Sequence, residues 1–287
     1  MEKLCIVMVS YYPKTRTYQA IDNLISTPEI GIVVIVDNTP DEIDYFEKYN
    51  KTGLIIVIKN RKNLGIANAQ NKGIQIAMSK GYEWVLTIDQ DTIINRDLAK
   101  KYISYITSLD SVKNIGLIGT DYIDVSTMKP KFGNTSPIKV DETISSGSLI
   151  NLSIYNKIGN MKDIYFIDQV DNEYCYRILK NGFNIVILPG IGMEHKLGNI
   201  TVRRFFFRRI CIYNQSPIRT YYRTRNSIWF VREYHDYGLT KKKCDSLLLD
   251  LIRFMYEKNK IQKYKMFLKG LKDGFLVNYK QIANEGE

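Results

Sequence analysis

Short apolar runs alternate with helical patterns through the first two hundred residues, and this alternation restricts the fold more than any single motif. Apolar runs at 4–9, 31–36 and 54–58, a run ending at Asp89, and runs at 115–119, 148–151 and 184–188 read as buried strands. Between them, 15–25, 65–78, 95–108 and 168–180 carry helical patterns, the last closed by Asn181-Gly182 as a helix C-cap. Strands separated by helices need crossover connections, so the expected class is α/β: a doubly wound, mostly parallel sheet.

The strand ends carry the chemistry. Asp89 and Asp91 flank Gln90 where the run Tyr82 to Ile88 leaves the sheet, and period-2 geometry aims both carboxylates to one side. Like charges there repel unless a cation stands between them, and ligands of open α/β sheets bind outside the carboxyl ends of the strands. A divalent metal carrying a phosphorylated ligand fits that place. A solvated turn, with Asp91 capping a helix from Asn95, accounts for the same residues. Asp37, after Val36, is placed to accept from a base N–H or a ribose hydroxyl, or to cap the next helix. The small-residue stretch from Asn63 to Gly73 opens a helix and permits close backbone approach. It is neither a dinucleotide fingerprint nor a P-loop, which disfavours those classes.

Charge separates the chain into two parts. Residues 1–198 hold 22 Lys/Arg against 22 Asp/Glu, whereas residues 199–287 hold 19 against 8, so the net +11 lies wholly in the last third. The expected division is a body over 1–198 and a basic, aromatic-rich helical extension over 199–287. Leucine, isoleucine, methionine and phenylalanine recur at three- and four-residue spacing from Leu247 to Leu276 with lysines between them. An anionic membrane surface is the preferred partner of that face, nucleic acid its rival, and packing on the core the plain alternative. Four scattered cysteines suggest neither zinc nor disulfides and point to a reducing, cytoplasmic setting. The N-terminus is unlike a signal peptide, and no stretch approaches the roughly 18 apolar residues of a membrane span.

In order, Ser10-Tyr11-Tyr12-Pro13, Val36-Asp37-Asn38, the Asn63 to Gly73 stretch, Thr87-Ile88-Asp89-Gln90-Asp91-Thr92, Ser146-Gly147-Ser148-Leu149, Phe166-Ile167-Asp168 to Arg177, and His195 form a series. The series resembles family-2 glycosyltransferases of the GT-A fold over about residues 3–230. More narrowly, Asp-Gln-Asp and Phe-Ile-Asp-x-x-Asp-x-Glu-x-Cys-x-Arg are similar to bacterial rhamnosyltransferases that use dTDP-L-rhamnose. The resemblance implies an inverting, metal-dependent transfer to a glycan or lipid-linked acceptor in surface polysaccharide synthesis. A UDP-hexose donor is the alternative, and a nucleic-acid-binding protein a further one from another class.

The resemblance also implies roles. Ser10, Tyr11, Asp37, Asn63, Gly65, Asn71, Asp89 and Arg225 would contact the donor, with Arg223 adding a phosphate contact. Asp89, Asp91 and His195 would hold Mg²⁺ or Mn²⁺, the histidine favouring Mn²⁺. Asp171 would be the base, with Asp168 on the same helix face and repulsion between them raising one pKa. Ser146, Gly147, Ser148 and Glu173 would border the acceptor. Gln70 departs from the basic residue that many relatives carry there. The expected partners are a nucleotide-sugar, the acceptor and a peripheral membrane surface, without nucleic acid; a homo-oligomer is compatible with all of this.

Overall fold

A computed structural model describes residues 3–108, 110–124, 128–194, 200–205 and 208–277. In chain order the strands are β1 (Leu4–Ser10), β2 (Ile30–Asp37), β3 (Ile55–Lys59), β4 (Trp84–Asp89), β5 (Ile93–Ile94), β6 (Ile115–Asp121), β7 (Ile123–Asp124), β8 (Lys129–Pro130), β9 (Ile138–Lys139), β10 (Ser148–Asn151), β11 (Asn184–Ile191), β12 (Met193–Glu194), β13 (Thr201–Phe205) and β14 (Arg208–Ile212). The α-helices are α1 (Thr15–Ile25), α2 (Ile66–Ser79), α3 (Leu98–Thr107), α4 (Leu152–Ile158), α5 (Val170–Lys180), α6 (Pro217–Tyr234), α7 (Tyr237–Phe254) and α8 (Lys260–Leu276). Chain contacts divide them into two units. The first holds Met1–Asp124, Lys129–Lys162 and Asp171–Lys196; the second is chiefly Asp163–Val170 and Leu197–Glu287.

The first unit is built on an eight-stranded sheet in the order β3-β2-β1-β4-β10-β6-β11-β9. β1, β2, β3 and β4 run parallel, as do β6 and β11, whereas β10 is antiparallel to both its neighbours and β9 to β11. Helices cover both faces of the central strands, so those strands are apolar throughout rather than alternating. Cys5, Ile6, Val7 and Met8 are all fully buried, as are Val33 to Val36. α2 approaches β1 closely because Gly73 has no side chain: a Cβ there would stand 2.5 Å from Val7 Cγ1.

The second unit opens with the hairpin β13–β14, paired from Thr201↔Ile212 to Phe205↔Arg208, and continues as three helices. The basic third is therefore not wholly helical. The continuous pattern from Leu247 to Leu276 is likewise two helices, interrupted where Asn259 adopts φ +58°. Gly270 and Gly274 let α8 seat against α6, since a Cβ on either would stand 2.7 Å from Tyr221 O or Ile228 Cβ respectively. Among the described residues, no helix is long and apolar enough to cross a membrane.

Two helix starts differ from the sequence reading. α3 begins at Leu98 with Asp97 at its N-cap position, so Asp91 does not cap it, although Asp91 does lie in a partly exposed turn. α5 begins at Val170, because Phe166, Asp168 and Gln169 hold left-handed backbone at φ +61°, +64° and +67°. Asp168 and Asp171 thus do not share a helical face.

Candidate active site

Parallel register brings the ends of β1 to β4 to one rim. Ser10 pairs with Asp37, Asp37 with Lys59, and Val9 with Asp89. Past these residues the strands give way to loops that tie to one another through side chains. Asp37 Oδ1 accepts from Thr39 N (3.0 Å) and Thr39 Oγ1 (2.6 Å), and Thr39 Oγ1 in turn accepts from Tyr12 N (2.9 Å). Asp37 Oδ2 takes no hydrogen bond from the described residues. Burial pushes the Asp37 carboxyl above its ordinary value, against the pull of the Thr39 bonds and of Lys59. An acceptor held half-satisfied at a strand end is equipped to take a donor group from a ligand.

A second chain of bonds frames the start of α2. Lys72 Nζ donates to Asn60 Oδ1 (2.6 Å), Asn60 Nδ2 to Asn38 Oδ1 (2.8 Å), and Asn38 Nδ2 to Gly65 O (3.0 Å). Asn63 Oδ1 accepts from Gly65 N (3.0 Å), and Gly65 takes φ +84°, which its lack of a side chain permits. Asn38 and Lys72 stood within the quoted motifs without a role of their own, and Asn60 lay outside them; its place directly after a strand end was the available signal. Tyr11 stays 44% exposed.

The Asp-Gln-Asp turn is fixed from three directions. Gln90 Oε1 accepts from Ser10 Oγ (3.1 Å) and Tyr11 N (2.9 Å), while its Nε2 donates to Tyr11 O (3.1 Å). Arg16 of α1 donates to Asp91 O (2.7 Å). Ser146 Oγ accepts from Asp89 N (3.0 Å) and shares a hydrogen bond with Thr92 Oγ1 (2.8 Å). With the backbone so held, the half-buried Asp91 carboxylate takes no hydrogen bond or ion pair from the described residues. β12 pairs with β5, Glu194 opposite Ile93, so the chain entering His195 runs beside the residues that follow Asp91. His195 itself lies outside the described residues. Among the described residues no three His, Cys, Asp or Glu side chains gather as a complete metal site.

Several residues expected at the ligand are instead part of the mount. Ser146 is buried beneath the turn, Ser148 Oγ donates to Ile144 O (2.6 Å), and Gly147 O accepts from Tyr102 OH (2.5 Å). Gly147 holds φ +78°, and a Cβ on it would stand 2.7 Å from Met193 Sδ. Ser10 is buried and spent on Gln90. Asn71 bridges Tyr155 OH (2.7 Å), Met161 N (3.1 Å) and Met161 O (2.7 Å), which ties α2 to the chain after α4 rather than to a donor. Gln70 donates to Ser145 Oγ.

α5 divides its motif by role. Glu173 is fully buried and takes both of its oxygens to Arg177 (3.0 Å each), with Lys162 at 3.4 Å. Arg177 also donates to the carbonyls of Ile158, Gly159 and Asn160 at 2.8–2.9 Å. This pair anchors the helix, so Glu173 is an internal tie and not an acceptor contact. Asp171 stands in the first turn, where its Oδ1 accepts from Asn172 N (2.9 Å).

Within the second unit, the loop Asp163–Val170 is gripped by α6. Asn226 Nδ2 donates to the carbonyls of Tyr165 (2.7 Å), Ile167 (2.8 Å) and Asp168 (2.9 Å). Arg219 makes a two-pronged contact with the Asp168 carboxylate at 2.6 and 3.1 Å, which engages the group expected to assist the base. Arg225 was expected at the diphosphate. It donates to Ile164 O (2.9 Å) and lies over Trp229, its guanidinium carbon 4.0 Å from a ring centroid, and burial pulls its pKa down. Arg223 pairs with Asp250 at 2.8 Å. Both arginines are used within this unit, and the sequence pattern gave no sign of the carbonyl cluster that Asn226 and Arg225 serve.

Residues 5–159 match the family model described as Glycosyl transferase family 2. A curated protein, the dTDP-rhamnosyl transferase RfbF of Shigella flexneri, is 30% identical over 290 residues, covering 93% of this chain and 94% of that protein. Among solved structures, S. aureus TarS 1–349 in complex with UDP-GlcNAc aligns with a TM-score of 0.56 and 14% identity over 97% of this chain and 74% of that one. GalNAc-T7 with UDP, GalNAc and Mn²⁺ aligns with a TM-score of 0.62 and 14% identity over 99% of this chain. This chain spans 44% of the longer S. aureus TarS structure and 58% of GalNAc-T7. The structural likenesses establish the fold, which is of the GT-A type.

Proposed function

The chain belongs to glycosyl transferase family 2, and from that premise we propose that this hexosyltransferase moves L-rhamnose from dTDP-L-rhamnose to a hydroxyl of a glycan or lipid-linked acceptor. The transfer inverts the anomeric carbon, needs a divalent cation and serves surface polysaccharide synthesis. Similarity to a dTDP-rhamnosyl transferase along nearly the whole of both chains supports the sugar and the base. The observation that carries the reading is the Asp91 carboxylate, without a partner among the described residues, on a turn whose backbone is fixed by Gln90, Arg16 and Ser146.

Asp89 and Asp91 are hard oxygen donors at a strand end, the ligand type that Mg²⁺ and Mn²⁺ take together with phosphate oxygens and water. A small carboxylate set suffices there because such cations keep much of their shell for substrate. When bound, the cation offsets the charge that develops on the departing diphosphate. Asp37 Oδ2 accepts from the base or the ribose. Asp171 takes the proton of the acceptor hydroxyl as it attacks opposite the diphosphate, through an oxocarbenium-like state of the kind seen in glycoside hydrolysis. All four cysteines are free, as a reducing, cytoplasmic compartment would keep them.

The second reading is a UDP-hexose donor, favoured by the UDP and UDP-GlcNAc held by the solved neighbours. Release of nucleoside diphosphate from dTDP-rhamnose, UDP-glucose and UDP-GlcNAc, each with Mn²⁺ or with chelator, separates the two. The expected result is fastest, Mn²⁺-dependent release from dTDP-rhamnose. Asp171→Asn should slow acceptor-dependent turnover by about 10²–10⁴-fold without weakening the donor. Equal turnover in that variant would remove Asp171 from the role of base, and faster release from a UDP-sugar would replace the donor.

A further inference from the structure

We infer that the outward face of α8 is a docking surface for an anionic phospholipid membrane. The helix is sharply divided. Lys263, Phe267, Gly270 and Gly274 are buried, and the two glycines bring it against α6. On the other side, Ile261, Leu268 and Phe275 follow one another at seven-residue spacing and stay 73%, 63% and 59% exposed, with Leu276 at 73% beside them. Lys265 and Lys272 stand in the same stripe, four residues after Ile261 and Leu268. At 100° per residue these six side chains fall within an arc of about 100°.

The chemistry of that arc selects its occupant. Lys265 and Lys272 have no bond to any described residue, and no acidic side chain interrupts the stripe. Asp273 accepts from Tyr221 OH (2.9 Å), and Glu257 is buried in an ion pair with Lys263. A second copy of this face would set lysines against lysines, which disfavours self-pairing. Phe275 is the one aromatic of the stripe, and the aliphatic tips at Ile261, Leu268 and Leu276 that make up the rest offer no stacking surface to nucleic-acid bases. An anionic bilayer meets both needs at once, since apolar side chains enter the headgroup boundary while lysine stems lie along it and keep their charges at the phosphates. This inference rests on the proposed function only for its purpose, which is access to a lipid-linked acceptor.

Co-sedimentation of the full chain with phosphatidylcholine vesicles, with and without about one-third phosphatidylglycerol, tests it in about 0.1 M and about 1 M salt, where the screening length falls from ~10 to ~3 Å. The wild type should pellet with anionic vesicles at low salt, be released by high salt, and ignore neutral vesicles. Lys265→Glu with Lys272→Glu should weaken recruitment by about tenfold or more. Leu268→Ser with Phe275→Ser should weaken it too, with far-UV circular dichroism unchanged in both variants. Failure of the wild type to bind anionic vesicles would overturn the inference, as would equal recruitment of the variants. Dimerisation lost in the Leu268/Phe275 variant, or tighter binding to an oligonucleotide than to vesicles, would assign the face elsewhere and also overturn it. Donor hydrolysis in vesicle-free buffer should be the same in wild type and variants, so a failure of the functional reading shows there and a failure of docking only with the vesicles.

Discussion

Three aspartates in the first unit differ in what the protein asks of each. Among the described residues, Asp91 keeps its carboxylate unspent on a fixed turn, Asp37 is buried and keeps one oxygen unspent, and Asp171 occupies a first helical turn. Asp37 gives the sharpest test at this scale. Burial raises its pKa, so the folded state holds that proton more tightly than the unfolded chain. Its stabilising contribution is therefore full below the ordinary value of about 4 and is lost as pH climbs through the raised value. Donor binding has the opposite sign, because a base N–H or ribose O–H needs the ionised carboxylate. Affinity for dTDP-rhamnose, whose diphosphate is esterified at both ends and does not titrate there, should rise with pH across that window. Asp37→Asn should flatten the profile, weaken the donor at neutral pH, and fold at least as stably as wild type there. A pH-independent affinity in the wild type would remove the carboxylate from the donor contact.

At the scale of elements, α5 shows how one motif combines anchoring and chemistry. Glu173 and Arg177 satisfy each other and three carbonyls, so removing the glutamate leaves a guanidinium and a lysine without their buried counter-charge. Glu173→Ala should cost about 3–5 kcal/mol, read as a lowered denaturant midpoint at unchanged slope. Asp171→Asn, two residues away, should leave that midpoint in place. An unchanged midpoint for Glu173→Ala would show that the pair does not anchor the helix. Period and composition in the sequence foretold the parallel strands and most helices because those patterns are local. The true start of α5 was hidden because Asn226, nearly sixty residues on, imposes the conformation of the loop before it. The hairpin β13–β14 was masked by its arginines and phenylalanines, which read as a charged tail rather than as strands.

Over the whole chain, function was legible as an ordered series of acidic strand ends, while the partners of the polar residues were not. Asn71, Ser146, Arg223 and Arg225 carry the residue types of a ligand site, yet each is consumed by a buried contact that no spacing rule contains. The chain passes from the first unit to the second at Asp163 and returns at Asp171, and within the second unit α6 grips the loop Asp163–Val170. The excess charge of the last third is shared almost evenly between arginines and lysines, and among the described residues Lys265 and Lys272 have no partner. The central claim is that the fixed turn after β4 offers Asp91 to a cation that holds the donor's diphosphate. Calorimetric titration of dTDP-rhamnose into the protein, with Mn²⁺ or with chelator, measures it without relying on turnover. Mn²⁺ should tighten binding by at least about tenfold in the wild type, and Asp91→Ala should abolish this gain while the chain stays folded. Equal Mn²⁺ dependence in the wild type and Asp91→Ala would contradict it.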